Sequence, residues 1–271
     1  MNFYKELELI LCSQNPKEKI ARFENFYLWY KCAHVNFERD HKAKEFEEPS
    51  YSQICKIVPP QSVPKRNNLT TKEGQINLLH AIVHIEYSAI DLALDAAYRF
   101  ADLPRVYYDD WLEVADDEIR HFLMLEALMQ ELETSYGAIE VHNALFESSQ
   151  RTLTLVERMA VVPRYLEANG LDATPMLLEK LQKLPQNIMI EKIIKTLEII
   201  LDEEIEHVRK GDVWFAYACK QENISTDVYF KIIKKYYPQG FLRPKNINIQ
   251  ARKEAGFSCH ELNFIAKKSV C

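Results

Sequence analysis

The sequence predicts an all-α protein, a four-helix bundle with helical extensions at both ends. Three observations lead there. Only 6 of the 271 residues are glycine, few for the tight turns of a many-stranded sheet. The longest periodic stretches are rich in Leu, Ile, Ala, Glu and Lys, mostly helix formers. Capping and breaking residues divide those stretches into four long segments, arranged as two consecutive pairs.

Residues 1–69 read as an N-terminal extension. It opens with helices to about Phe46 and then becomes a linker at Val58-Pro-Pro-Gln-Ser-Val-Pro64, whose prolines exclude a helix interior. Its expected job is to wrap the outside of the bundle, which spans 70–222. Thr70-x-x-Glu73 reads as a capping box that opens a helix running to about Phe100, before Leu103-Pro104. A second helix fits Tyr108 to about Ser135 and stops at Gly137. The third runs from Gln150 to Asn169-Gly170, a left-handed cap by sequence, with a kink expected at Pro163. A short helix comes after Pro175, and a long one begins after Pro185 and reaches about Glu222. Residues 223–271 form a C-terminal extension of one or two helices, broken at Pro238-Gln-Gly240 and Pro244.

Composition narrows the function classes. The chain is 47% hydrophobic and 27% charged, ordinary for a globular protein able to bury a core without staples. A net charge of −6 argues against a dedicated nucleic-acid binder, whose phosphate contacts need a basic surface. One region departs from this balance: Tyr229 to Lys253 holds Lys231, Lys234, Lys235, Arg243, Lys245, Arg252 and Lys253 and no acid. A solvated basic surface is the first reading, and RNA stays open as a partner. The six cysteines include no CxxC pair, so reduced thiols and a cytoplasmic location are expected. The N-terminal MNFYKELELILCSQN has acids inside its short apolar run, unlike a signal peptide. No run approaches the ~18–20 apolar residues of a membrane span, so no membrane partner is expected.

The chemistry lies in two related motifs. One helix carries Asp117-Glu118-Ile-Arg-His121 and the last long helix carries Glu203-Glu204-Ile-Glu-His207. Residues three apart share a helix face, so each Glu and His can grip one object. Around Glu118, helical spacing brings Trp111, Val114, Ala115, Phe122 and Leu125; around Glu204 it brings Leu197, Ile200, Leu201, Val208 and Gly211. Both pairs therefore sit on apolar stripes that face the core. Glu86 is similar, among Leu79, Ile82, Val83, Ile90 and Ala93. A fourth carboxylate is needed from the third helix. Glu167 continues a stripe of Leu153, Val156, Ala160 and Pro163, while Glu157 competes among Leu153, Ala160 and Val161.

Buried ionised glutamates without a partner cost several kcal/mol, and a cation is the simplest remedy. The set Glu86, Glu118, His121, Glu167, Glu204 and His207 has one Glu from each of two helices and a Glu-x-x-His from each of the others. That arrangement defines ferritin-like di-iron and di-manganese proteins. Its carboxylates, about −4 in all, would be neutralised by two divalent metal ions. Oxygen and imidazole ligands suit Fe first and Mn second. Asp117 and Glu203, each four residues before a ligand histidine, can accept the imidazole's other N–H. His80 and His84 differ from Glu86 in angular position and read as core or supporting histidines.

Several longer segments resemble the DUF455 group of ferritin-like proteins: Val63-Pro-Lys-Arg66, LLHAIVHIEYSAIDLALDAAYRF (78–100), DWLEVADDEIRHF (110–122), RMAVVPRYLEANGLDATP (158–175), ILDEEIEHVRKGDVWF (200–215) and ARKEAGF (251–257). The resemblance covers roughly 58–262. It implies a ferritin-like bundle and puts the third-helix ligand in PRYLEANGLD, favouring Glu167 over Glu157, with Arg164 one turn before it to orient that carboxylate. The chain departs from the group at Leu184-Pro-Gln-Asn187, where a Gly-Asp turn is usual, and over its first 50 residues.

The first expectation is an oxygenase- or oxidase-type oxidoreductase using O₂ or peroxide on an unspecified small-molecule or macromolecular substrate. By analogy with related bundles, Glu118 and Glu204 are the bridging ligands. Tyr87 is a packing residue first and an electron relay second. Some relatives in the wider superfamily hydroxylate a modified tRNA base. The alternatives are iron handling, as a ferroxidase or peroxide-detoxifying protein, and a non-enzymatic helical partner-binding protein with a structural metal site.

Overall fold

The computed structural model describes residues 1–38 and 41–271. The part of the predicted N-terminal helical stretch at Arg39 and Asp40 lies outside the described residues. Among the described residues every named element is helical, and the only bridges are isolated ones, Asn2 with Asn36 and Ile57 with Val141. The all-α expectation is met. No described helix is long and apolar enough to cross a membrane. The backbone groups into two compact units, Met1–Glu147 and Ser148–Cys271.

The first unit is built on α3 (Lys72–Arg99) and α4 (Arg105–Glu131), which pack along their length. α1 (Phe3–Leu11) lies against α3, and α2 (Pro16–Lys31) against α4. The extension does more than wrap. Lys19 of α2 is fully buried and forms an ion pair with Asp91 of α3. Its Nζ also donates to Ser50 Oγ (2.7 Å), which donates in turn to Asp91 (2.6 Å). Burial lowers the Lys19 pKa against the pull of Asp91. On α2, Tyr30 donates to Asp109 of α4 at 2.6 Å.

The capping box is displaced by one residue. Thr71, not Thr70, is the N-cap and accepts from the Gly74 N–H at 3.1 Å; Thr70 donates instead to Asn68 Oδ1 at 2.6 Å. The reason is the close pass of the 67–68 backbone, since a Cβ on Gly74 would lie 2.2 Å from the Asn68 carbonyl oxygen. α4 starts earlier than expected, directly after Pro104, and ends at Glu131. Gly137 is not its cap: it turns at φ +97° further on, where a Cβ would meet Ile54 at 2.8 Å.

α5 (Ala144–Arg151) crosses the boundary between the units. The second unit then holds α6 (Leu155–Val161), a π turn (Val162–Glu167), α7 (Ala168–Gln182) and α8 (Ile188–Gln221). The kink expected at Pro163 takes the form of that π turn, whose wider i→i+5 spacing accommodates a missing N–H. Gly211 of α8 lies against it: a Cβ there would be 2.2 Å from Pro163 Cβ. The predicted left-handed cap at Gly170 is wrong. α7 runs through Asn169-Gly170 and past Pro175 as one helix, and only Gly137 and Gly256 have positive φ among the glycines.

Three short helices complete the unit, α9 (Val228–Tyr236), α10 (Ile249–Glu254) and α11 (Cys259–Ala266). The reading of six reduced thiols needs correction. Cys259 at the start of α11 is disulfide-bonded to Cys271, because the tail folds back with Val270 N–H donating to Asn263 Oδ1 at 2.7 Å. The basic stretch is also less free than its sequence suggests. Lys235 pairs with Glu157 (2.6 Å), buried Arg252 with Asp172 (2.7 Å), and Lys245 donates to Asn169 (2.8 Å).

Candidate metal centre

In the first unit, the apolar neighbours of Glu86 at helical spacing (Leu79, Ile82, Val83, Ile90 and Ala93) are all buried. Glu86 goes inward with them and is 4% exposed. On α4, Trp111, Val114, Ala115, Phe122 and Leu125 are likewise buried, and Glu118 and His121 are fully buried. His121 Nδ1 lies 3.2 Å from Glu86 Oε2 and 3.5 Å from Glu118 Oε2. One ligand atom from each of the three lies within 4.8 Å of the others.

This is a buried Glu/His group that can hold a metal ion. Two carboxylates kept from water need positive charge beside them. Burial opposes charge on His121, but its hydrogen bonds to Glu118 and Glu86 outweigh burial and push its pKa up to about 11. Without a metal, the imidazole would therefore carry a proton as the local cation. A divalent ion can displace that proton and engage the same nitrogen and oxygens. The donors are hard carboxylate oxygens and one imidazole.

In the second unit, α8 carries the matching motif. His207 is fully buried, Glu204 is partly so, and His207 Nδ1 lies 3.6 Å from Glu204 Oε1. Glu167 ends the π turn, which packs against α8. The stripe used to choose it does not survive: Leu153 precedes the α6 N-cap Thr154 and is 66% exposed, and the π turn breaks the 3.6-residue phase. The competing candidate, Glu157, forms an ion pair with Lys235 at 2.6 Å.

Arg164 does not orient Glu167. Its guanidinium is buried and pairs with Asp212 (2.7 Å) and Glu261 (2.9 Å), caged by the rings of Phe215, Tyr229 and Phe257 at 4.4–4.8 Å. Asp117 engages Arg120 at 2.6 Å. His80 and His84 make their hydrogen bonds to the 136–142 loop. Tyr87 packs against Phe122 and Tyr136 (centroids 5.2 and 5.1 Å), in keeping with a packing role. Lys210, a turn beyond His207, is buried too. Sequence reasoning passed over it because lysine normally marks a solvent face.

The comparisons with known proteins give a family and no chemistry. Residues 12–263 match a family described as "Protein of unknown function (DUF455)". An uncharacterized protein of Haemophilus influenzae is 36% identical over 97% of this chain and 93% of its own length. No solved structure matches. The family match begins well before the resemblance read from the motifs, so most of the N-terminal extension is part of it. With a family match over nearly the whole chain and a full-length relative at 36% identity, the protein belongs to the DUF455 family.

Proposed function

We propose that Glu86, Glu118 and His121 together with Glu167, Glu204 and His207 hold two divalent metal ions, iron first and manganese second. In this reading α3, α4, α6–α7 and α8 form a ferritin-like bundle, and the protein is an O₂- or peroxide-dependent oxidoreductase. The observation that carries it is the buried convergence of Glu86, Glu118 and His121, three ligand-type side chains within 4.8 Å of one another. The second support is chemical symmetry. Each unit offers a Glu-x-x-His helix, and each has a further Glu on the helical partner. Each half has the ligands for about one ion, and the two halves together match the donor count of a dinuclear carboxylate centre.

Two ferrous ions held there would supply electrons to O₂ or peroxide. The protein's own residues set the conditions. Glu118 and Glu204 would each supply a carboxylate to the ions. His121 would hold a metal through its imidazole nitrogen in the neutral form. The apolar stripes around Glu86 and Glu118 exclude bulk water and strengthen every charge interaction inside.

The test is metal content per chain, with Fe and Mn quantified on protein purified anaerobically without chelator, followed by an O₂ pulse monitored by absorbance. About two Fe per chain and a new near-ultraviolet band would support the reading. A band with oxidation of iron alone would favour iron handling. Zinc with no response to O₂ would leave a structural metal site in a partner-binding protein.

A further inference from the structure

α3 carries a second set of polar residues on its other flank. His80 and His84 lie roughly 240° and 200° around the helix from Glu86, and they line a cleft of about 430 Å³ within the first unit. Its other walls include the Val63-Pro-Lys-Arg66 segment and residues 139–142. That volume falls within the roughly 300–1,000 Å³ of small-molecule sites.

The walls are tied together. The Val58 N–H donates to the Val141 carbonyl (2.8 Å), and the Val141 N–H donates to that of Lys56 (3.0 Å). His84 braces the same loop, with Nε2–H donating to the His142 carbonyl (2.8 Å) and Nδ1 accepting from Tyr136 (2.9 Å).

Backbone amides decide what the other two imidazoles present. Gly137 and Ile139 N–H both donate to His80 Nε2, at 3.0 and 3.3 Å. The His80 proton therefore sits on Nδ1. Ala144 N–H donates to His142 Nδ1 at 3.3 Å, which leaves the proton on Nε2. Burial lowers both pKa values, that of His80 to about 4, so both rings are neutral at pH 7. Their acceptor lone pairs are used and, among the described residues, their N–H donors meet no acceptor, an arrangement that suits an anion and not a metal ion.

The charges agree. Lys65 and Arg66 are exposed on the cleft wall and, among the described residues, form no ion pair. Arg66 is close enough to His142 to add to the lowering of its pKa. The acid on the wall, Glu140, is held by Lys56 at 3.3 Å. Ala81 and the exposed Ile85 give the cleft an apolar side.

We propose that this cleft binds a small organic oxyanion, a phosphate monoester or a carboxylate. Its head meets Arg66, Lys65 and the imidazole N–H groups of His80 and His142, and its body lies on Ala81 and Ile85. The site does not depend on the metal centre.

Calorimetric titration of the full-length protein with phenyl phosphate, benzoate and inorganic phosphate tests it. Phenyl phosphate or benzoate is expected to bind saturably, and the preference between them identifies the head group. Arg66→Gln should weaken binding about 10-fold, the effect of one charged hydrogen bond, and Lys65→Gln with Arg66→Gln should weaken it further. Both residues are exposed, so the variants should keep the wild-type melting temperature and metal content. That separates failure here from failure of the metal reading. No saturable binding, or unchanged affinity in the double variant, overturns the proposal. Inorganic phosphate binding as tightly as phenyl phosphate removes the organic ligand.

Discussion

At the scale of single residues, His121 gives the metal reading its clearest signature. Its folded pKa of about 11 lies above the ordinary 6.5, so the protonated form stabilises the folded metal-free protein. That contribution is complete below about pH 6.5 and is lost as pH rises through the folded value. The melting temperature of metal-free protein should therefore fall between pH 7 and pH 10. Metal affinity should rise over the same range as the proton is released. A flat calorimetric profile would remove the His121–carboxylate coupling. His121→Ala should at least halve the Fe bound per chain, measured by elemental analysis, and unchanged stoichiometry would reject His121 as a ligand. Glu86, Glu118 and His121 were legible because each stands on an unbroken apolar stripe. Glu167 was not legible that way. Its competitor Glu157 is held by Lys235, 78 residues away in sequence, and no local pattern announces that.

At the scale of elements, helices were easier to read than their ends. The cap of α3 moved from Thr70 to Thr71 because of the backbone folded over Gly74, a contact beyond any propensity. Asn169-Gly170 has the composition of a stop, yet α7 continues through it. Two glycines now separate by test. A Cβ at Gly170 meets nothing within 4 Å, so Gly170→Ala should stabilise by about 0.5–1 kcal/mol in urea unfolding. Gly211→Ala drives a methyl into the Pro163 ring and should cost about 1–3 kcal/mol. Equal effects at the two sites would contradict the close approach of α8 to the π turn.

At the scale of the molecule, the N-terminal extension is structural. Lys19 is buried on α2 against Asp91 of α3, and removing it strands a carboxylate. Lys19→Met should destabilise the protein by about 3 kcal/mol, measured by chemical denaturation; a loss below about 0.5 kcal/mol would make the extension dispensable. Composition read the helical class correctly, since it depends on summed propensity. The solvated reading of 229–253 holds for Lys231, Lys234, Arg243 and Lys253, which are exposed, while Lys235, Lys245 and Arg252 find partners that only tertiary structure supplies. The disulfide was illegible for a similar reason: cysteine counting weighs the whole chain, and this bond closes one local loop.

The π turn at Val162–Glu167 can be regarded as a one-residue insertion in a helix that tolerated it. Each residue of an α-helix advances by about 100°, so the extra one rotates everything after it. Deleting Val162 would remove the extra residue but leave Pro163, with its missing N–H, inside the helix, and Glu167 would swing about 100° off its present bearing. Such a variant should lose bound metal by elemental analysis while its circular dichroism stays helical, which would tie the insertion to ligand bearing and not to helix content.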